Sequence, residues 1–82
     1  MNNIIIDCKI YNSKIKLLTH LQQIIEEMYS PNYDALIDAL TMYQEPTTIN
    51  IFNSSYFENE IDLKEIFTII NNENTYITVI YN

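Results

Sequence analysis

The chain has 82 residues, of which 48% are hydrophobic, and 11 acidic residues outnumber four lysines to give a net charge of −7. This length predicts a single domain over residues 1–82, with a core but little room for a buried active site. The acidity disfavours contact with nucleic acid or with anionic membranes, because both depend on Lys and Arg. It is compatible with a basic protein partner and also with a surface that is acidic only for solubility.

The single cysteine, Cys8, rules out an internal disulfide. The N-terminus lacks a basic segment and a cleavage site, and no apolar stretch approaches the ~20 residues that span a bilayer. We therefore expect a cytoplasmic protein. Glycine is absent, so we expect asparagine, which tolerates left-handed backbone, to cap helices and form turns.

The first half of the chain predicts one strand and two helices. Residues 4–10 (IIIDCKI) are typical of a strand covered on both faces. Asn12 or Ser13 can cap a helix over residues 14–28, whose apolar residues form a wide stripe that leaves His20 on the polar side. The positions of that stripe are Ile15, Leu17, Leu18, Leu21, Ile24, Ile25 and Met28.

Pro31 ends this helix, and Asn32 or Ser30 caps a second helix that reaches about Tyr43. Its core stripe is predicted to be Ala35, Leu36, Ala39, Leu40 and Tyr43, and its opposite face Asp34, Ile37, Asp38 and Thr41.

The second half predicts a strand at residues 47–52, a turn at 53–60 with Tyr56 and Phe57 pointing inward, a helix at 61–71 and a strand at 76–81. The order is β-α-α-β-(short α or loop)-α-β. Strands joined by helical crossovers pair in parallel. We therefore expect a small three-stranded parallel sheet packed with helices, some of which share a face of the sheet.

The residue types that most enzymes need are scarce. A glycine-rich phosphate loop is excluded, and one Cys and one His do not make a zinc site. Cys8 and His20 could pair as nucleophile and base, but Cys8 lies in a predicted buried strand, where a thiol usually acts as a small hydrophobe. We expect a protein that is not an enzyme and has no cofactor.

The segment NYDALIDALT places Asp34 and Asp38 one helical turn apart, where like charges repel by a few tenths of a kcal/mol. A solvated helix face explains this pair, and the helix dipole favours Asp34. Acid–base catalysis would need a cleft, and a calcium or magnesium site would need more oxygen ligands.

A protein-binding surface is the fourth explanation. Ile37 lies between the aspartates, and Tyr29, Tyr33 and Tyr43 flank the helix. An apolar anchor with an aromatic rim and fixed charges is typical of an interface. Carboxylates ~5–6 Å apart can imitate adjacent phosphates.

This stretch resembles the barstar family of intracellular inhibitors of secreted bacterial ribonucleases. Its helix motif, Asn-x-Asp-Ala-Leu-x-Asp-x-Leu-Thr, is matched by Asn32, Asp34, Ala35, Leu36, Asp38, Leu40 and Thr41. The preceding loop, MYSP, corresponds to the family's tyrosine-containing loop. Phe67 and the ITVI of the last strand are also similar to the family's C-terminal segment, and the order of elements agrees over nearly the whole chain.

The resemblance implies that the second helix and the loop before it block a ribonuclease active site, with the aspartates against basic residues that normally bind RNA phosphate. It implies a basic extracellular-type ribonuclease or a nuclease toxin as partner. We expect the free protein to be a monomer. The implied contact residues, with Asp38 as main anchor, are Tyr29, Asn32, Tyr33, Asp34, Ile37, Asp38, Thr41, Tyr43, Ile69 and Glu73.

The chain departs from the family pattern at several of these positions. Ile37 replaces an exposed tryptophan, Ile69 aligns with a contacting glutamate, and Ser30 aligns with a loop glycine. The segment before the last helix is also shorter. Because both isoleucines are predicted off the core stripes, we hypothesise a more apolar partner, such as the nuclease of a toxin–immunity pair. A regulatory domain that binds another kind of partner is the alternative.

Overall fold

Three parallel strands and three helices make up the computed structural model, which describes residues 3–82; residues 1 and 2 of the predicted domain lie outside the described residues. A short 3-10 helix precedes the last α-helix. The elements are β1 (Asn3–Asp7), α1 (Lys14–Ile24), α2 (Tyr33–Thr41), β2 (Thr47–Phe52), the 3-10 helix (Ser54–Tyr56), α3 (Glu60–Glu73) and β3 (Ile77–Tyr81). The predicted α/β class and the order of elements are confirmed.

The sheet has the order β1-β2-β3, and both pairs of strands are parallel. The two crossovers run in the same direction across the sheet, so the usual right-handed connection predicts that their helices lie on one face. Burial agrees, since Ile4 and Ile6 of β1 are buried whereas Ile5 is 58% exposed. The prediction that the first strand is covered on both faces is therefore wrong, because the helices cover only one face.

The core lies between the inner face of the sheet and the three helices. It includes Phe67 and aliphatic side chains from every strand and every α-helix. The largest fully buried side chains are Phe67, Ile4, Ile6, Leu17, Leu18, Leu21, Ile25, Leu36, Leu40, Ile49, Ile51 and Leu63. Within residues 3–82 no helix has the length and apolar character needed to cross a membrane.

β1 ends at Asp7, three residues before the predicted end. The Asp7 carboxylate accepts hydrogen bonds from the Lys9 backbone and from Asn53 Nδ2, both at 3.0 Å. Its carbonyl accepts from the backbone N–H groups of Ile10 and Tyr11. These bonds turn the chain away from the sheet. The bond from Asn53, followed by that from Lys9, lowers the pKa of Asp7.

α1 ends at Ile24 rather than at residue 28. Ile25 adopts extended backbone, and Met28 donates its N–H to the Ile25 carbonyl. Both side chains are buried, so they reach the core from a turn. Ile15, a predicted member of the stripe, is 62% exposed, because the buried face of α1 centres on Leu17, Leu18 and Leu21.

Polar side chains cap the helices as expected for a chain without glycine. Ser13 caps α1, Asn32 caps α2 through a 2.8 Å bond from the Ala35 N–H, and Asn59 caps α3. Asn53 has the left-handed backbone (φ 58°) that glycine often supplies. Because Asn59 and Asn74 cap its ends, α3 is longer than the predicted 61–71.

The turn before α3 differs in part from expectation. Phe57 is buried as predicted, but Tyr56 is 59% exposed, with the Lys9 ammonium 5.1 Å from its ring centroid. A 3-10 turn is too short to bury two successive aromatic rings, since neighbouring side chains point in different directions.

Asn74 joins three elements through a buried side chain. Its Nδ2 donates to the carbonyls of Leu40 at 2.9 Å, Thr41 at 3.3 Å and Tyr43 at 2.8 Å. Its Oδ1 accepts from the Tyr76 N–H at 2.9 Å. These bonds satisfy carbonyls at the end of α2, and α2 accordingly ends at Thr41, two residues before its predicted end.

We expect Asn74→Ala to lower the free energy of unfolding by about 3 kcal/mol, because three carbonyls near the end of α2 lose a donor and the Tyr76 N–H loses its acceptor. Urea unfolding at neutral pH measures this difference. The control is Asn72→Ala, an exposed asparagine in the last turn of α3, with an expected change within about 0.5 kcal/mol. Equal effects of the two substitutions would contradict the role given to Asn74.

Candidate functional site

α2 packs against both α1 and α3. Four of the five residues of its predicted core stripe are buried, namely Ala35, Leu36, Ala39 and Leu40. Two of these are alanines, which allow the helix to approach its neighbours closely. The fixed inner face determines which side chains the helix presents outward.

Asp34 and Asp38 lie on the outward side and are exposed. Across residues 3–82 the only salt bridge joins Lys64 to Glu60 at 3.2 Å, so neither aspartate of α2 has a cationic partner there. Asp34 lies in the first turn, where the helix dipole favours a negative charge. Asp38 is one turn further on and gains less from the dipole.

Tyr29 lies beside this pair, as predicted. It is 67% exposed, and its hydroxyl donates a 3.4 Å hydrogen bond to Asp38 Oδ2. Partial loss of hydration raises the pKa of the Tyr29 phenol, and the Asp38 carboxylate raises it further, with a smaller effect from Asp34. Thr41 donates its hydroxyl to the Asp38 carbonyl at 3.2 Å. We refer to Tyr29, Asp34, Asp38 and Thr41 as the acidic surface.

Ile37 does not have the exposure predicted for it. It is partly buried and packs against the core, although it lies between the two aspartates in sequence. The reason is that α2 contacts a helix on each side, so residues next to its inner stripe are covered as well. Ile37 therefore packs mainly against the core and projects little from the acidic surface.

Two further predicted contact residues have roles within the fold. The Asn32 side chain is the N-cap of α2. Tyr33 is partly buried, with the Lys14 ammonium 4.8 Å from its ring centroid. Loss of hydration raises the pKa of Tyr33, and the carboxylates of Asp62 and Glu58 add to this effect. Tyr33 thus lies near the start of α3 and not beside Asp38.

The C-terminal end of α2 borders a shallow depression. Tyr43 is partly buried, and loss of hydration, followed by the charges of Glu27 and Glu26, raises its pKa. Glu73 and Tyr43 both line the depression, so these two predicted residues lie close together. Its lining is Thr41, Met42, Tyr43, Gln44, Glu73, Asn74, Thr75 and Tyr76.

Met42 in this lining is 73% exposed and was not among the predicted contact residues. The signal available in the sequence was its position between Thr41 and Tyr43, outside the core stripe, but a single exposed methionine is not unusual.

Ile69 belongs to a different surface. It is 43% exposed on the outer side of α3, and Ile61 of the same helix is 73% exposed. These residues line one shallow depression with Lys64, Glu65 and Thr68, and no residue of α2 takes part in it. The structure therefore separates Ile69 from the acidic surface.

Cys8 and His20 have the environments of structural residues. Cys8 is fully buried in the turn after β1, and burial raises the pKa of its thiol, which disfavours the reactive thiolate. The His20 ring stacks on the Tyr11 ring with centroids 4.0 Å apart. Among the described residues, no group of three or more His, Cys, Asp or Glu side chains is placed to hold a metal ion.

Comparison with models of known protein families gives no match for this chain, and a search of curated proteins gives none either.

We expect Asp38→Asn to raise the free energy of unfolding by about 0.3 kcal/mol, because it removes the repulsion from Asp34 one turn away. The contrasting variant is Asp62→Asn, since Asp62 lies in the first turn of α3 and its charge is favoured by the helix dipole. That variant is expected to lose stability. Chemical denaturation at low salt measures both, and a clear loss of stability in Asp38→Asn would contradict the repulsion.

Asp38→Asn should also lower the pKa of Tyr29 toward its ordinary value. A nearby carboxylate disfavours the phenolate, so removing its charge makes the phenol easier to deprotonate. Titration of the tyrosine ring carbons by NMR measures the shift. Glu65→Gln removes one negative charge from α3 and should leave Tyr29 unchanged. Identical curves for wild type and Asp38→Asn would show that Asp38 does not act on Tyr29.

Proposed function

We propose that this protein is an intracellular inhibitor of a ribonuclease, and that it blocks the active site of the enzyme with α2 and the loop before it. One observation carries the proposal: two exposed aspartates, one helical turn apart, have no cationic partner in residues 3–82. The resemblance of NYDALIDALT to the barstar motif supports it. No step of the proposed function is catalytic, and no cofactor takes part.

The physical basis is the match between the acidic surface and a site built to bind phosphate. Ribonucleases hold the RNA backbone with cationic side chains, and carboxylates at phosphate-like spacing can occupy the same positions. The repulsion between Asp34 and Asp38 is relieved when cations of the partner lie between them. The net charge of −7 also speeds the encounter with a basic protein.

In this mechanism Tyr29 orients the carboxylate of Asp38. Its hydrogen bond to Asp38 Oδ2 restrains one carboxylate oxygen and leaves the other free to accept from a partner. Tyr43, Met42 and Glu73 extend the contact area beyond the end of α2. This area supplies an aromatic side chain, an exposed apolar side chain and a further carboxylate, a composition typical of an interface.

An immunity or regulatory domain with a partner other than a basic secreted ribonuclease is the second candidate. The observation that favours it is the placement of the two isoleucines. Ile37 is partly buried, so no apolar side chain projects between the aspartates. Ile69 lies with exposed Ile61 on α3, away from the acidic surface. A partner that covers both surfaces would need a broader and more apolar contact than a phosphate site provides.

Asp38→Ala should weaken binding to the cognate ribonuclease by more than about 1 kcal/mol, the level that marks an energetically important interface residue. The partner to test first is a basic secreted protein whose gene lies next to the gene of this protein. A panel of basic bacterial ribonucleases is tested after it. Inhibition of RNA cleavage and calorimetry give the affinity. Glu65→Ala, which removes an exposed carboxylate from α3, is the matched control for a general charge effect.

Wild-type affinity in Asp38→Ala, with the fold intact by circular dichroism, would overturn the assignment of the interface to α2. Absence of inhibition across the panel, together with capture of a protein that is not a nuclease, would favour the second candidate.

A further inference from the structure

A three-stranded sheet has two edges, and the hydrogen-bond pattern shows which backbone groups face outward. The Cys8 N–H donates to the Phe52 carbonyl at 2.9 Å. In a parallel pair, bonding to the neighbour alternates along the strand. The backbone of Ile4 and Ile6 therefore faces β2, whereas that of Asn3, Ile5 and Asp7 faces away from the sheet.

The edge at β3 is largely closed by the chain itself. The same alternation turns the N–H groups of Ile77 and Val79 outward, since the Asn82 N–H bonds to Ile51 of β2. Ile77 donates to the Asn74 carbonyl at 3.1 Å, and Val79 donates to Asn71 Oδ1 at 3.3 Å. A new strand would have to displace both bonds.

The edge at β1 is open within the described part of the chain. Ile5 is 58% exposed, and its N–H and C=O have no partner in the ladder with β2. β1 has neither the lysine nor the proline that often protects an edge strand. Among the outward-facing backbone groups of β1, the only bond within residues 3–82 is at the Asp7 carbonyl, which accepts from the N–H groups of Ile10 and Tyr11.

We propose that β1 pairs with β1 of a second copy of this chain, antiparallel and about a twofold axis at Ile5. In this register Ile5 lies opposite Ile5, and Asn3 lies opposite Asp7. The two Ile5 residues exchange a pair of hydrogen bonds, and each Asp7 N–H donates to an Asn3 carbonyl. The result is a continuous six-stranded sheet.

Charge favours this edge over the outer sides of the helices as the place where two copies meet. Each copy carries −7, so two copies repel wherever acidic surfaces meet. The outer sides of α2 and α3 expose Asp34, Asp38, Asp62 and Glu65. At the β1 edge each Asp7 faces a neutral Asn3, and the paired side chains at the centre are isoleucines. Cross-strand aliphatic pairs stabilise antiparallel strands.

The dimer uses an edge of the sheet and leaves the acidic surface free, so it goes beyond the proposed function and does not depend on it. With this dimer, we expect the free protein to associate weakly and not to remain a monomer. A single pair of five-residue strands buries less than the ~1,000 Å² of a specific interface. We expect a dissociation constant in the range of about 100 μM to 1 mM.

Sedimentation equilibrium of the full chain, from about 10 μM to about 1 mM, tests the dimer across the expected range of affinity. Ile5→Pro removes the outward N–H from both copies, which proline permits on an edge strand. It should weaken association at least about tenfold, because two hydrogen bonds are lost. Ile5→Lys keeps the backbone intact and places a charge at the twofold axis, so it should weaken association as well.

Ile80→Lys is the matched control. Ile80 lies in the same row of the open sheet face as Ile5, on β3, and is 41% exposed. It should leave association unchanged. Amide hydrogen exchange gives a direct second measurement, since the Ile5 N–H should become slower to exchange as protein concentration rises. Thermal unfolding of each variant verifies its fold.

Four results would overturn the proposal, the last of them by assigning the edge to another protein. The first is a monomer at the highest concentration. The second is association that both folded Ile5 variants retain. The third is association that Ile80→Lys abolishes, which would assign the contact to the open face of the sheet. Protection of the Ile5 amide only when another protein is added would show that the edge binds a foreign strand instead.

Discussion

The side chain of Asn74 is the interaction on which the arrangement of α2, α3 and β3 depends. It lies immediately after α3, its amide binds carbonyls at the end of α2, and its oxygen binds the start of β3. Buried carbonyls without a donor are costly, so the end of α2 is held where this amide can reach it. Thr41, which belongs to the acidic surface, and Tyr43, which lies beyond it, are therefore positioned by a residue more than thirty places away.

The absence of glycine explains why asparagine has so many structural roles. A helix that ends without glycine in left-handed backbone needs another way to satisfy its carbonyls. At α2 the donor comes from Asn74, across the core, and at the turn after β2 the left-handed residue is Asn53. Asn53 also donates to Asp7. Two asparagines thus link the ends of secondary elements that are distant in sequence.

The order of elements, the parallel sheet and the inner stripe of α2 could be predicted because they depend on local periodicity. The ends of β1 and α2 could not be predicted, because residues that are distant in sequence determine them. Asn53 and the turn after β1 bind Asp7 at the end of β1, and Asn74 binds the Thr41 carbonyl at the end of α2. The sequence pattern also could not predict whether a side chain beside the core stripe of a helix is exposed. Periodicity placed Ile37 outward, but packing of α2 against two helices covers it. Asp34 and Asp38 were placed correctly, since carboxylates without partners remain in water.

The distribution of lysines bears on whether the acidic surface is more than a solvated face. Lys14 and Lys9 lie over the rings of Tyr33 and Tyr56, and Lys64 binds Glu60 and lies near Tyr81. Three of the four lysines therefore contact partners within the fold, and none of these contacts is to Asp34 or Asp38. A helix of nine residues keeps two adjacent carboxylates without such a contact. A surface selected only for solubility would gain stability from a lysine one turn away. Retaining the repulsion is understandable if a partner supplies the missing cations.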